Sequence, residues 1–124
     1  MEGKLKMIKR IETPEELSKI FSVIPSEYIQ WLTEGIANPK LHVWAEFDVD
    51  IIGYVVALDS VVPPLSDYFT ILFDYGESKS SILALKEEAG KCGAKSLVMA
   101  VPEITEDMEE AGFEQVTVNI AMRV

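Results

Sequence analysis

Apolar positions change their spacing several times along the chain, and each change marks an element. Residues 6–11 read as a short opening strand. Thr13, Pro14, Glu15 and Glu16 then form a helix start: Thr13 is placed to cap, Pro14 suits the first helical position, and Glu16 completes a capping box. Leu17, Ile20, Phe21 and Ile24 follow at helical spacing until Pro25 ends the helix. Ser26 is placed to cap a second helix, whose stripe of Tyr28, Ile29, Trp31, Leu32 and Ile36 stops at Asn38 and Pro39. Leu41, Val43, Ala45 and Phe47 next alternate with His42, Trp44, Glu46 and Asp48. That is the period of a half-buried strand, with the second set facing outward.

A tight turn at residues 48–50 leads into residues 51–58, an almost continuous apolar run. Such a run predicts a central strand covered on both faces and paired antiparallel with its predecessor. Pro63 and Pro64 forbid regular structure, and residues 68–73 read as a third strand running into the polar turn of Asp74, Tyr75, Gly76 and Glu77. Ile82, Leu85, Ala89 and Cys92 mark a helix ended by Gly93, with Cys92 expected to be a buried thiol on its apolar face. Residues 96–101 read as a strand stopped by Pro102, and the helical connection makes it a parallel neighbour of residues 68–73. Thr105 caps a short helix that Gly112 terminates, and Val116, Val118, Ile120, Met122 and Val124 alternate as a last strand. The order β-α-α-β-β-β-α-β-α-β predicts an α+β fold, a mixed twisted sheet with helices on both faces, in one domain spanning residues 1–124.

Composition narrows the partners. Twenty-one acidic residues against eleven basic ones leave a net charge of −10, which repels nucleic acid and anionic lipid. The same acidity either attracts a cationic amine or merely keeps the domain soluble. Cys92 is the only cysteine, so no internal disulfide is possible. No signal-peptide pattern is visible, and the longest apolar run is too short to span a bilayer, so no membrane is expected and the cytoplasm is the expected compartment. His42 shares its strand face with Trp44 and Glu46, where a base, a stacking role or plain structural use is open, but no metal cluster is built around it.

Several local sequences, taken in order, resemble the GCN5-related N-acetyltransferase (GNAT) superfamily. "IKRIETPEEL" looks like that family's first strand and helix, and "WAEFDVDIIGYVVAL" like its second and third strands, with Gly53 at the usual glycine. "LKEEAGKCGAKSLVMAVPE" resembles the helix and strand after the cofactor loop, and "MEEAGFEQV" the closing helix with its Gly-Phe pair at Gly112 and Phe113. The resemblance implies an acetyl-CoA-dependent N-acyltransferase acting on an amine of a small molecule or a protein. The alternative is a non-catalytic module using the same cleft, and a possible homodimer through the last strand is a third reading. By the same resemblance, the pantetheine arm lies where residues 68–73 and 96–101 splay apart, backbone N–H groups near Leu72 and Phe73 serve the oxyanion, and residues 74–81 receive the pyrophosphate.

In that loop "DYGESKSSIL" retains only Gly76 of the family's glycine-rich pattern. Gly76, Ser78, Lys79, Ser80 and Ser81 are the cofactor-binding candidates, small or donor-bearing residues at a helix start that either holds a phosphate or is simply capped. The family often takes its catalytic proton from a tyrosine four residues before the Gly-Phe pair, where this chain has Met108. Tyr75 is the substitute acid, with aromatic packing as its other reading. Glu46, Asp59 and Asp67 are the candidate bases or solvated carboxylates, of which Glu46 and Asp67 join Tyr75 as the leading catalytic set.

Overall fold

The computed structural model describes residues 6–60, 68–99, 105–110 and 112–114. Among these, five strands form one mixed sheet in chain order: β1 (Met7–Ile11), β2 (Leu41–Asp48), β3 (Asp50–Ser60), β4 (Tyr68–Gly76) and β5 (Ser96–Met99). The first four are antiparallel neighbours, and β4 runs parallel to β5 from Tyr68↔Ser96 to Ile71↔Met99. The parallel neighbour expected from the helical connection is therefore present. The helices are α1 (Pro14–Ser18), α2 (Ser26–Gly35), α3 (Lys79–Lys91) and α4 (Glu106–Glu110). Pro63, Pro64, Asp67, Val101 and the strand expected over residues 116–124 lie outside the described residues.

Strand alternation sorts the apolar side chains into two layers. Leu41, Val43, Ala45, Tyr54 and Val56 pack with Ile11, Leu17, Ile20, Ile24, Leu32 and Ile36 on the α1/α2 side. Val55 and Ala57 face the opposite way and join Phe69, Ile71, Ile82, Leu85 and Ala89 beneath α3. β3 is thus buried on both faces, as its continuous apolar run predicts, and helices cover both sides of the sheet. Leu17, Leu32 and Leu85 are fully buried, each contributing about 2 kcal/mol by removal from water.

Local chemistry sets the helix ends. The Thr13 hydroxyl accepts from the Glu16 N–H at 3.1 Å, and the Glu16 carboxylate reaches back to the Glu12 N–H at 3.0 Å. At the far end of α3, Gly93 takes a φ of +90° while the Ala94 N–H closes on the Ala89 carbonyl at 2.9 Å, a Schellman ending.

Four expectations need correction. The first helix stops at Ser18 and gives way to a 3-10 turn, Phe21–Val23, because Ile20 leaves helical geometry at φ −115°, ψ 8°. Ser26 is the first residue of α2 and not its cap: Pro25 holds that position and no side chain caps the helix. Cys92 is exposed, since it stands at the end of α3 where the chain has already turned from the core. The outward face of β2 is not solvated, for α3 lies over it: His42 is 3% and Glu46 0% exposed.

Candidate functional site

The site begins with one extra residue in β4. Val56 pairs with Phe73 and Ala57 with Ile71, so Leu72 is passed over as a β-bulge. The insertion reverses the facing of the strand. Before it, Phe69 and Ile71 point into the α3 layer; after it, Phe73 packs on the α1/α2 layer and Tyr75 stacks on Tyr54 with ring centroids 5.5 Å apart. The last described pairing with β5 is Ile71↔Met99, so residues 72–76 run beyond it.

β4 continues to Gly76, longer than the 68–73 expected, which puts Asp74 and Tyr75 in the strand and not in a turn. Tyr75 therefore packs, although its ring stays 40% exposed. Its neighbour Tyr54 donates from its hydroxyl to the Val23 carbonyl at 2.9 Å. Burial pushes the Tyr54 phenol above its ordinary value, reinforced by repulsion from Tyr75 and Asp74.

Two glycines then steer the chain from sheet to helix. Gly53 pairs with Gly76, and a Cβ on Gly53 would lie 2.1 Å from the Glu77 carbonyl oxygen. Gly76 takes φ +60°, and a Cβ there would lie 2.2 Å from the Ile52 carbonyl oxygen. With both side chains absent, the Glu77 N–H donates to Ile52 at 2.9 Å, and the chain crosses closely over β3 into α3.

This crossing brings the start of α3 onto Glu46, which pairs with Gly53 across β2 and β3. The first N–H groups of a helix have no partner within it. Glu46 takes one of them: its Oε1 accepts from the Ser81 N–H at 2.7 Å, while its Oε2 meets the Lys6 ammonium at 2.7 Å. Glu46 is accordingly no open-face carboxylate but a fully buried anchor for the helix. The Ser78 hydroxyl is also engaged, donating to Asp74 Oδ2 at 2.7 Å. Ser81 is wholly buried and its hydroxyl has no hydrogen-bond partner. Lys79 and Gly76 are exposed, and the Ser80 hydroxyl accepts from Lys6 at 3.3 Å.

The remaining candidates separate from this cluster. His42 donates from Nδ1 to Glu88 Oε1 at 2.7 Å, and Glu88 also accepts from Trp44 Nε1 at 3.0 Å and pairs with Arg10 Nε at 2.8 Å. That network ties β1, β2 and α3 together and accounts for the polar face of β2; among the described residues no group of His, Cys, Asp or Glu is arranged to hold a metal. Asp59 lies on β3 opposite Phe69, and Asp67 is outside the described residues. Met108 is half-buried in α4, whose Thr105 hydroxyl accepts from the Met108 N–H at 3.2 Å. A cavity of about 540 Å³ lies between α3 and β5, but none of residues 76–81 lines it.

Sequence reasoning missed Lys6 and Glu88. Lys6 is one basic residue among several near the N-terminus, with nothing in its spacing to point at a helix start far along the chain. Glu88 falls in the Lys-Glu-Glu run of an amphipathic helix, where a solvated carboxylate is the ordinary expectation.

The chain is similar to solved N-acetyltransferase structures. A ribosomal-protein-alanine N-acetyltransferase from Brucella melitensis biovar Abortus 2308 aligns with a TM-score of 0.64 at 13% identity, covering 94% of this chain and 99% of that one. An aminoglycoside 6'-N-acetyltransferase from Acinetobacter baumannii gives 0.75 at 9% identity, over 95% and 97% of the two chains. The enzyme AAC(6')-Iy, solved with the bisubstrate analogue CoA-S-monomethyl-acetylneamine, gives 0.75 at 17% identity over 95% and 97%. No protein-family model matches the chain, and no curated protein matches it in sequence. At these identities the likeness is one of fold alone, the fold shared by these N-acetyltransferase structures.

Proposed function

We propose that the chain is a GNAT-fold N-acyltransferase that takes an acetyl group from acetyl-CoA to an amine of a small molecule or peptide. One observation carries the reading: a bulge at Leu72 in β4, followed directly by a glycine-paired crossing that aims the strand into the start of α3. The arrangement supports both ends of such a cofactor. With the Ser81 N–H engaged by Glu46, the first-turn N–H groups of Lys79 and Ser80 are the donors for a phosphate, with the helix dipole favouring the anion. Acetyl-CoA, when bound, supplies the activated thioester.

The chain's own part in the transfer is mostly backbone. N–H groups at the Leu72 bulge would be the donors for the negative charge that develops on the thioester carbonyl oxygen as an amine adds to it, before the carbon–sulfur bond breaks. The amine loses a proton and the departing thiolate gains one. Tyr75 is the acid candidate because its ring is partly exposed beside the strand end; Glu46 is withdrawn from the base role by its burial and its two partners. Net charge of −10 favours cationic acceptors and disfavours nucleic acid.

A specific observation favours a second reading, a binding module without turnover: Asp74 and Glu46 place two carboxylates at the helix start, and Met108 has no proton to give. A thermal-shift titration with acetyl-CoA and CoA, followed by thiol-release assays on polyamines and lysine-bearing peptides, separates the readings. Ligand at one hundred times its dissociation constant stabilises the fold by about 2.7 kcal/mol. Shift with turnover supports the enzyme, and shift without turnover on any amine supports the module. Absence of a shift at millimolar acetyl-CoA sinks the enzyme and leaves a module that takes another ligand or a protein partner in the same cleft.

A further inference from the structure

We infer that Lys6, immediately before β1, is a phosphate-contacting residue of the α3 site, supplying a positive charge that the loop before the helix lacks. The inference rests on the cofactor reading above and deepens it. The segment from Asp74 to Ser78 offers no cation and adds the carboxylates of Asp74 and Glu77. A dianionic phosphate group docking at the Lys79 and Ser80 N–H groups therefore needs positive charge from elsewhere. Lys79 lies in the first turn itself, and Lys6 arrives from across the sheet.

The position of Lys6 is built and not incidental. Its ammonium is 2.7 Å from Glu46 Oε2 and 3.3 Å from the Ser80 hydroxyl. Glu46 is completely buried and fixed on its other oxygen by the Ser81 N–H, so it holds the lysine over the first turn of α3. An ammonium has three hydrogens to donate. The ammonium is ion-paired with Glu46 and donates to the Ser80 hydroxyl, and with the side chain 39% exposed it is open to an incoming anion. The Ser81 hydroxyl, wholly buried without a hydrogen-bond partner, is a second unsatisfied polar group in the same turn. In this geometry Glu46 is a positioning residue: it is ion-paired with Lys6 and sets where that ammonium stands over the first turn.

Testing Lys6 alone risks unfolding, because Lys6→Met leaves Glu46 buried without its counter-ion. The informative comparison is Glu46→Gln against the double variant Lys6→Met/Glu46→Gln. Both keep an amide oxygen for the Ser81 N–H and neither leaves a buried unpaired charge, so they differ only in the lysine. Affinities for inorganic pyrophosphate, CoA and pantetheine are measured by calorimetry, with amide shifts of Lys79 and Ser80 locating the phosphate. Loss of one charge-assisted contact at a partly exposed site is expected to weaken pyrophosphate and CoA about tenfold between the two variants. Pantetheine, which has no pyrophosphate, should bind both alike, and Lys6→Arg should bind CoA nearly as wild type does. Equal pyrophosphate and CoA affinities in the two variants overturn the inference while leaving the cofactor reading standing. A wild type that binds neither CoA nor pyrophosphate overturns both.

Discussion

Replacing Glu88 with alanine tests whether α3 is locked onto the sheet by its buried polar network. The carboxylate receives Arg10 Nε at 2.8 Å, His42 Nδ1 at 2.7 Å and Trp44 Nε1 at 3.0 Å. Truncation leaves three partners behind, Arg10 as an ion-pair partner and His42 and Trp44 as hydrogen-bond partners. Arg10 is 22% exposed and keeps Glu12 at 2.6 Å, so water and that partner recover part of its loss. The His42 side chain is only 4% exposed, and its Nδ1 would be left with Arg10 Nη2 at 3.3 Å. Breaking a buried ion pair from one side costs about 3–5 kcal/mol, and partial exposure here sets the expectation near the lower end, about 3 kcal/mol. An unfolding entropy of about 2.1 cal/mol/K per residue gives about 0.26 kcal/mol/K for this chain, so the melting temperature should fall by about 11 °C.

Calorimetry of wild type and Glu88→Ala at neutral pH measures this directly. A loss under about 1 kcal/mol would mean that Glu88 behaves as an ordinary surface ion-pair partner, and the locking argument would fail. An acid titration adds an independent check. Burial pushes the Glu88 carboxyl up, but the Trp44 indole N–H, His42 and Arg10 together outweigh it and hold the group below its ordinary value of 4.5. A carboxyl depressed in the folded state contributes stability that is present above 4.5 and is lost as pH falls through the folded value. The gap between wild type and Glu88→Ala should therefore be widest above that pH and narrow below it. A gap that widens with acid would reverse the assigned sign.

Two further substitutions test backbone geometry. Gly53→Ala puts a Cβ 2.1 Å from the Glu77 carbonyl oxygen, where only backbone can yield, and should cost about 3 kcal/mol or prevent folding; denaturant melts showing a loss under 1 kcal/mol would contradict the crossing. Val49 is 97% exposed at φ 68°, a left-handed conformation that a β-branched residue adopts at a cost, so Val49→Asn should stabilise by about 1 kcal/mol, and an unchanged or lowered midpoint would show that the turn is not strained.

Most of the fold was legible because local signals agreed with tertiary ones. Thr13 with Glu16, the alternation of β2, the continuous apolar run of β3 and Gly93 after α3 each predict what the structure contains. The misses share a physical cause, which is that one-dimensional period does not say what covers a face. His42, Trp44 and Glu46 read as an outward set because polar residues usually meet water; here α3 meets them, and Glu88 and the Ser81 N–H satisfy them. Leu17, Ile20, Phe21 and Ile24 fit a continuous helix, yet the same spacing is served by one helical turn followed by a 3-10 turn. The Leu72 bulge left no mark, since an apolar residue inserted into an apolar strand looks like more strand. Glu46 and Tyr75 were singled out for their chemistry, and the structure gives both a packing environment that their neighbours in sequence do not announce.

The loop before α3 shows why motif and geometry need to be weighed separately. Its sequence keeps one glycine of the pattern that the resemblance leads one to expect, but the placement of the helix start depends on contacts that survive without the others. Gly53 and Gly76 remove the two Cβ atoms that would block the crossing, and the bulge at Leu72 turns the strand so that Phe73 and Tyr75 anchor one layer while the chain departs over the other. Donor groups are thus delivered to the same end of the sheet by backbone alone. What the altered loop changes is charge: Asp74 and Glu46 stand against Lys6 and Lys79 around the first turn, with Glu46 paired to Lys6 and Asp74 bonded to Ser78. Whether a phosphate prefers this helix end to water therefore turns on these charges together with that of Glu77, and Lys6 and Glu46 among them stand outside the loop in which such motifs are sought.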